Sequence, residues 1–303
     1  MSLESDSIID RRKLKRRLSA WRAAAILAVA GAALAWIARD EGVIPRDYVA
    51  RITVDGIIVE DEARERALRR IAEDERARAL IVAINSPGGT VVGGENLYRA
   101  LRRVAEKKPV VAVMGTLAAS GGYMTALGAD RIFARSGTLT GSIGVILQST
   151  DVTGLLKKLG VEAEAIKSSP LKAVPNPLEP LTEEGRAATR ALVMDMYEQF
   201  VAMVSERRGL DAAAARALAD GRVYTGRQAV ANRLVDALGG EAEARDWLAK
   251  TRQVPKSLPV RALRVRGEAQ ELLGLVEGII GKTLFSERLK LDGLVSVWHP
   301  DLK

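Results

Sequence analysis

Ser120 stands among small residues in LAASGGYM, residues 117–124, where no bulky neighbour would hinder its hydroxyl as a nucleophile. The 303-residue chain has no cysteine and a single histidine, His299, so a cysteine nucleophile is excluded and a histidine base nearly so. Lysine is then the remaining proton acceptor for an activated serine. A lysine acting as base must be uncharged, which requires a site poor in water and in other charge. Lys172 lies between Pro170 and Pro175 beside Leu171, Ala173 and Val174, with no acidic residue within six positions on either side. Lys167, ending an apolar run, is its rival, expected to face solvent or a partner.

Two glycine pairs accompany these groups. In NSPGG, residues 85–89, Pro87 stiffens a turn, and Gly88 and Gly89 permit backbone conformations that expose amide N–H groups able to hold an oxyanion. In AASGG, residues 118–122, Ser120 falls where a buried strand should feed a helix, so the helix dipole would favour negative charge there. Taken alone, Ser120 reads as a helix N-cap before it reads as a nucleophile, and Gly88-Gly89 reads equally as a plain turn. GGTVVGG does not match a dinucleotide fingerprint. The pairing of the two glycine motifs after adjacent strands favours chemistry.

The elements that must position these groups follow from periodicity. Val49–Ile58 alternates and is β-branched, Ala79–Asn85 and Pro109–Met114 are short continuous apolar runs, and helical patterns cover 60–79, 93–107 and 121–129. Such β-α-β alternation predicts an α/β domain with mainly parallel pairing. Strands are further expected over 131–134, 143–148 and 161–168, with helices over 153–159, 182–209 and 212–220. In the tail, Leu272, Leu273, Leu275, Val276, Ile279, Ile280 and Leu284 could form one apolar helix face, packed on a core or a subunit in preference to a membrane surface.

Seven basic against three acidic side chains in the first 22 residues supply half of the +8 net charge, so nucleic-acid binding is not expected. They precede the uncharged run 23–38, flanked by Trp21, Trp36, Arg22 and Arg39. That run is slightly shorter than the roughly 20 residues of a usual span, and its aromatic and basic flanks suit a membrane interface. The expectation is a transmembrane anchor over 23–38, a cytoplasmic tail over 1–22, a linker over 39–48 and an exported body. A cleaved signal peptide ending near Ala33-Leu34-Ala35 is the alternative. No cysteine and one histidine argue against a zinc site, and no cofactor is expected.

The motifs VDGII, INSPGG, VAVMGTLAASGGYM, GTLTGSIGV, IKSSPLK and DGRVYTGRQAVANRLVDALGG, in this order, resemble the S49 serine proteases of the ClpP/crotonase fold superfamily. The resemblance runs from about Ile52 to Trp247 and implies a ClpP/crotonase-like peptidase domain over 49–250 with a C-terminal extension over 251–303. It makes Ser120 the nucleophile, Lys172 the general base, and Ser142 the residue that orients the lysine. Gly88 or Gly89, with Gly121, would form the oxyanion hole. Many family members place a glycine and an aromatic before the lysine and an acid after it, where this chain has Ser169, Pro170, Leu171 and Ala173. The resemblance further implies a membrane-bound homo-oligomer that cleaves signal peptides and other apolar peptides. A crotonase-like acyl-CoA enzyme and a catalytically silent scaffold are the competing readings.

Overall fold

The computed structural model describes residues 17–18, 20–32, 47–263, 265 and 294–297. Two units are distinct, Met1–Arg46 and Asp47–Lys303. In the first, residues 20–32 form helix α1, with Trp21, Ile26, Leu27 and Val29 exposed. Among the described residues no helix is long and apolar enough to cross a membrane. Residues 33–38, the rest of the expected span, lie outside the described residues, as does the expected apolar helix face from Leu272 to Leu284.

The second unit is an α/β domain. It begins β1 (Tyr48–Ile58), α2 (Glu62–Glu73), β2 (Ala77–Thr90), α3 (Val91–Ala105), β3 (Val110–Ala119), α4 (Gly121–Ala126) and β4 (Arg131–Ala134). The short elements β5 (Leu139–Gly141), β6 (Ile146–Leu147) and α5 (Thr153–Lys158) follow, then the long α6 (Glu183–Arg208) and α7 (Ala212–Leu218). It closes with β7 (Val223–Thr225), α8 (Gly226–Ala231), β8 (Ala237–Leu238), α9 (Glu241–Arg252), β9 (Val260–Ala262) and β10 (Leu294–Val297).

One mixed sheet joins the strands. β2 lies between β1 and β3, both parallel to it, and β3 pairs in parallel with β4 along its first half and with β5 along its second. The antiparallel pairs are β5 with β7 and β10 with both β2 and β6. β9, from beyond residue 250, adds to the edge of β1.

The apolar runs of β2 and β3 reflect burial on both faces. Leu80, Val82 and Ile84 of β2 and Val110, Ala112 and Met114 of β3 point into the core shared with Leu68 and Ile71 of α2, Leu97 and Leu101 of α3 and Phe200 of α6. Ala79, Ile81 and Val111 point the other way, against Ala244 and Leu248 of α9. Each fully buried Leu, Ile or Phe stabilises the fold by about 1.5–3 kcal/mol relative to an exposed one. Caps end the helices where the pattern changes. Thr90 accepts from the Gly93 amide at 3.0 Å to start α3, and Gly209, at φ 58°, closes α6 in the left-handed region.

Several expected elements differ. Residues 161–168 form no strand: among the described residues the segment pairs with no strand, its glutamates alternate with small residues, and Ile166 is 99% exposed. The stretch SGTLTGS, residues 136–142, lies between two expected strands and contains β5, while the strand expected over 143–148 shrinks to Ile146–Leu147.

Candidate active site

β2, β3 and β5 bring the two glycine motifs together. Ser86 of β2 pairs with Ala118 of β3, and Ala119 pairs with Gly141 of β5, so positions 86–89, 120 and 142 meet at one end of the sheet. Adjacent strands run about 4.8 Å apart.

Ser120 links β3 to α4 at φ 54° and ψ −119°, a conformation uncommon for any residue but glycine, and it is 1% exposed. Its amide donates to the Gly141 carbonyl at 2.8 Å, and its carbonyl accepts from Met124 at 2.9 Å. The backbone is thus held on both sides in a strained region. The hydroxyl makes no capping hydrogen bond to α4, so the N-cap reading fails although the residue occupies the cap position.

Gly88 sits at φ 114°, open to glycine alone, and donates its amide to Ser86 Oγ at 3.0 Å. Ser86 Oγ in turn donates to the Gly56 carbonyl at 2.6 Å. Gly89 is glycine for a different reason: a Cβ there would lie 1.7 Å from the Ile58 carbonyl oxygen of β1. The SPGG segment, expected as a turn, instead ends strand β2, paired with Ile57 and Ile58, and the buried Ser86 hydroxyl ties it to β1. Sequence reasoning passed it over, although a serine placed directly before Pro-Gly-Gly was the available signal.

Ser142, 9% exposed, shares with Ser120 a positive φ, 49°, and donates its amide to Arg222 O at 2.8 Å. Further ties fix these strand ends. Thr140 Oγ1 donates to Ala118 O at 2.7 Å, and Asn85 Oδ1 accepts from the Leu117 amide at 3.2 Å.

Lys172 lies apart in character. It is exposed, on the loop after residue 168, where its amide donates to Ser169 O at 3.1 Å. It lines an open cavity with Ala165, Ile166, Lys167, Asn176 and Leu178. Among the described residues no hydrogen bond joins its ammonium to Ser120. The water-poor setting expected of a lysine base is not supplied by this loop within one chain. Lys167 is paired with Glu179, whose carboxyl is held below its ordinary range by the hydrogen bond from that ammonium. That contact accounts for Lys167 as a structural cation.

The protein-family model described as peptidase family S49 matches residues 102–255. A relative from Synechocystis sp. named as a protease is 43% identical over 206 residues, covering 67% of this chain and 74% of the relative. The chain belongs to peptidase family S49. That membership supports a peptidase of the serine type. An S49 relative from Enterococcus faecium named as a signal peptide peptidase SppA is 37% identical over 188 residues, 62% of this chain. The chain spans about half the length of that relative, 55%. Among solved structures, a ClpP1 variant from Listeria monocytogenes superposes at a TM-score of 0.42 with 17% identity, over 63% of this chain and 91% of that one.

Proposed function

We propose that this S49 chain is an endopeptidase whose nucleophile is Ser120 and whose general base is Lys172, with Ser142 orienting the lysine amine. The observation that carries the reading is the backbone of Ser120: a buried serine held in a strained conformation beside the SPGG end of β2. Strain of this kind persists where the surroundings impose it, and it concentrates at reactive groups.

Ser120 Oγ attacks a peptide carbonyl as its proton passes to the neutral Lys172 amine. The C–N bond then breaks and the lysine returns the proton to the leaving amine. Water, deprotonated by the same lysine, hydrolyses the ester and regenerates the serine. The amide of Gly121 and one from the SPGG end of β2 hold the oxyanion. With the Gly88 N–H bonded to Ser86 Oγ, the second donor is assigned to Gly89.

Exposed Ile166, Leu171 and Leu178 around Lys172 favour a homo-oligomer in which this loop is covered and the lysine loses water. The basic flank and apolar run 23–38 favour a single-pass anchor in the plasma membrane with a cytoplasmic N-terminus and the catalytic unit outside. Such an enzyme would meet signal peptides and other apolar peptides left in the bilayer after export. The ClpP/crotonase-like assignment belongs to the same reading.

The test is labelling of the detergent-solubilised full chain with a fluorophosphonate, together with hydrolysis of an apolar fluorogenic peptide. Ser120→Ala should abolish both, and Lys172→Ala should lower turnover by about 10⁴-fold or more, as removal of one member of a catalytic unit does. Labelling at another serine, or full activity in Lys172→Ala, would refute the dyad.

A further inference from the structure

α4, the helix that Ser120 leads into, has all six of its residues buried and none of them charged. Its two ends are held differently. At the start, a Cβ on Gly122 would lie 2.9 Å from the Ser86 carbonyl oxygen, so the helix packs directly on the end of β2. Beyond its last turn, three consecutive carbonyls accept from two arginines of neighbouring helices. Arg207, at the C-terminal end of α6, donates from Nε to Leu127 O at 2.9 Å and from Nη2 to Ala129 O at 3.0 Å. Arg102 of α3 donates from Nη1 to Gly128 O at 3.3 Å and pairs with the Asp130 carboxylate at 3.3 Å. Asp130 in turn accepts from the Val110 amide at 3.0 Å, at the start of β3.

Two cations against one anion leave a single net positive charge at this end of a buried helix. Arg102 has its counter-ion, whereas Arg207 forms no ion pair among the described residues and has backbone carbonyls as its acceptors. Burial, and after it the Arg102 charge, push the Arg207 guanidinium below its ordinary range, and an arginine still keeps its proton at neutral pH. Capping carbonyls needs donors; it does not need a partly desolvated cation without an ion-pair partner, which carries a cost. At about 1.5 Å per residue, the 127–129 carbonyls lie about 10 Å along the axis from the Gly121 amide, and the guanidinium slightly farther. A unit charge about 12 Å from an oxyanion, across a medium of effective dielectric about 20, alters the rate of forming that oxyanion about tenfold.

We infer that the net positive charge at the far end of α4 stabilises the oxyanion forming at the Gly121 amide, and that Arg207 is the residue that supplies it. The inference rests on Ser120 being the nucleophile. Arg207 is a positioning residue: it acts through α4, fixing the helix and biasing the potential at its start. The peptide carbonyl carries no net charge before attack, so the effect falls on kcat and leaves KM unchanged.

Charge and fixation are separable by substitution in the detergent-solubilised full chain acting on an apolar fluorogenic peptide. Arg207→Gln should lower kcat about fivefold to tenfold at constant KM, and Arg207→Lys, which keeps the charge and loses the forked contact, should recover most of that loss. Asp130→Asn removes the anion and keeps an acceptor for the Val110 amide, so it should raise kcat about twofold or more. Fluorophosphonate labelling of Ser120 should follow the same order of rates, since attack on phosphorus also builds negative charge on an oxygen in the oxyanion hole. A plain structural cap predicts instead that activity follows stability on a denaturant curve, with no variant faster than the unaltered chain. Arg207→Lys and Asp130→Asn are conservative enough to be read even where Arg207→Gln does not fold. Equal losses of kcat in Arg207→Lys and Arg207→Gln would overturn the inference, as would failure of Asp130→Asn to raise kcat or a change confined to KM. Labelling at Ser120 at one rate in every variant overturns the charge effect alone. Labelling at a different serine in the unaltered chain brings down the catalytic reading, and this inference with it.

Discussion

The strained backbone at Ser120 predicts an inversion of the usual cost of an alanine-to-glycine exchange. At an ordinary buried strand position such as Ala119, glycine loses a methyl group, about 0.8 kcal/mol, and adds about 0.5–1 kcal/mol of chain entropy to be lost on folding. Ala119→Gly should therefore destabilise by about 1.5 kcal/mol on those two effects. At position 120, with φ 54° and ψ −119°, alanine retains the strain, about 1–3 kcal/mol, and glycine releases it. Taking about 2 kcal/mol for the release, Ser120→Gly should be more stable than Ser120→Ala by about 0.5 kcal/mol. Both variants lack the hydroxyl, so whatever it contacts cancels from the comparison. The assay is chemical denaturation of the four proteins, unaltered, Ala119→Gly, Ser120→Ala and Ser120→Gly, under one condition. The two exchanges should differ by about 2 kcal/mol, or several degrees in Tm. If Ser120→Gly lies below Ser120→Ala by as much as Ala119→Gly lies below the unaltered chain, position 120 is unstrained and the argument for a held nucleophile fails.

Three further outcomes follow from named contacts. Gly89→Ala drives a Cβ against the Ile58 carbonyl oxygen, 1.7 Å away on a paired strand, and should cost about 3 kcal/mol in denaturation while abolishing peptide hydrolysis. Tyr123→Phe strips the Leu234 carbonyl of its buried donor at 2.9 Å, and should lower stability by about 1–2 kcal/mol on a denaturant curve with little effect on fluorophosphonate labelling. The hydrogen bond from Lys167 depresses the Glu179 carboxyl below its ordinary 4.5. The stabilisation from that pair is complete above the ordinary value and is lost as pH falls through the lower folded value. A side-chain carboxyl NMR titration should show Glu179 moving back up in Lys167→Ala, and no movement would refute the pairing.

The sequence was most legible where local pattern and tertiary position agree. β1, β2 and β3 announce themselves as alternating or continuous apolar runs because they are half or wholly buried, and the helix expected from 182 starts at its Thr182 cap. β5 stayed hidden since three residues, Leu139–Gly141, are a strand only by virtue of β3 and β7 on either side. The reverse error at 161–168 has the same origin: a strand was expected there, but a strand requires a neighbour to pair with. β10 carried no local signal that tied it to Gly88–Thr90, about two hundred residues earlier, and contacts of that range leave no imprint on periodicity. Within the site, the placement of Ser120, Ser142 and the glycine pair followed from motif order. The exposure of Lys172 did not, because flanking prolines and leucine describe a loop's composition and not what covers it.

β3 and β5 end level with each other, each delivering a serine at positive φ, and each serine amide is anchored to a carbonyl on the next segment, Gly141 for Ser120 and Arg222 for Ser142. One residue inserted or deleted in either strand would turn its serine toward the opposite side of the sheet and break the match with its partner. Variation in chain length is therefore confined to stretches outside this paired frame, and the irregular segment between α5 and α6 is the natural place for it. The two catalytic partners proposed here sit under opposite rules: the hydroxyl on a frame that tolerates no change of length, the amine on a loop free to lengthen, shorten and be reshaped by whatever packs over it.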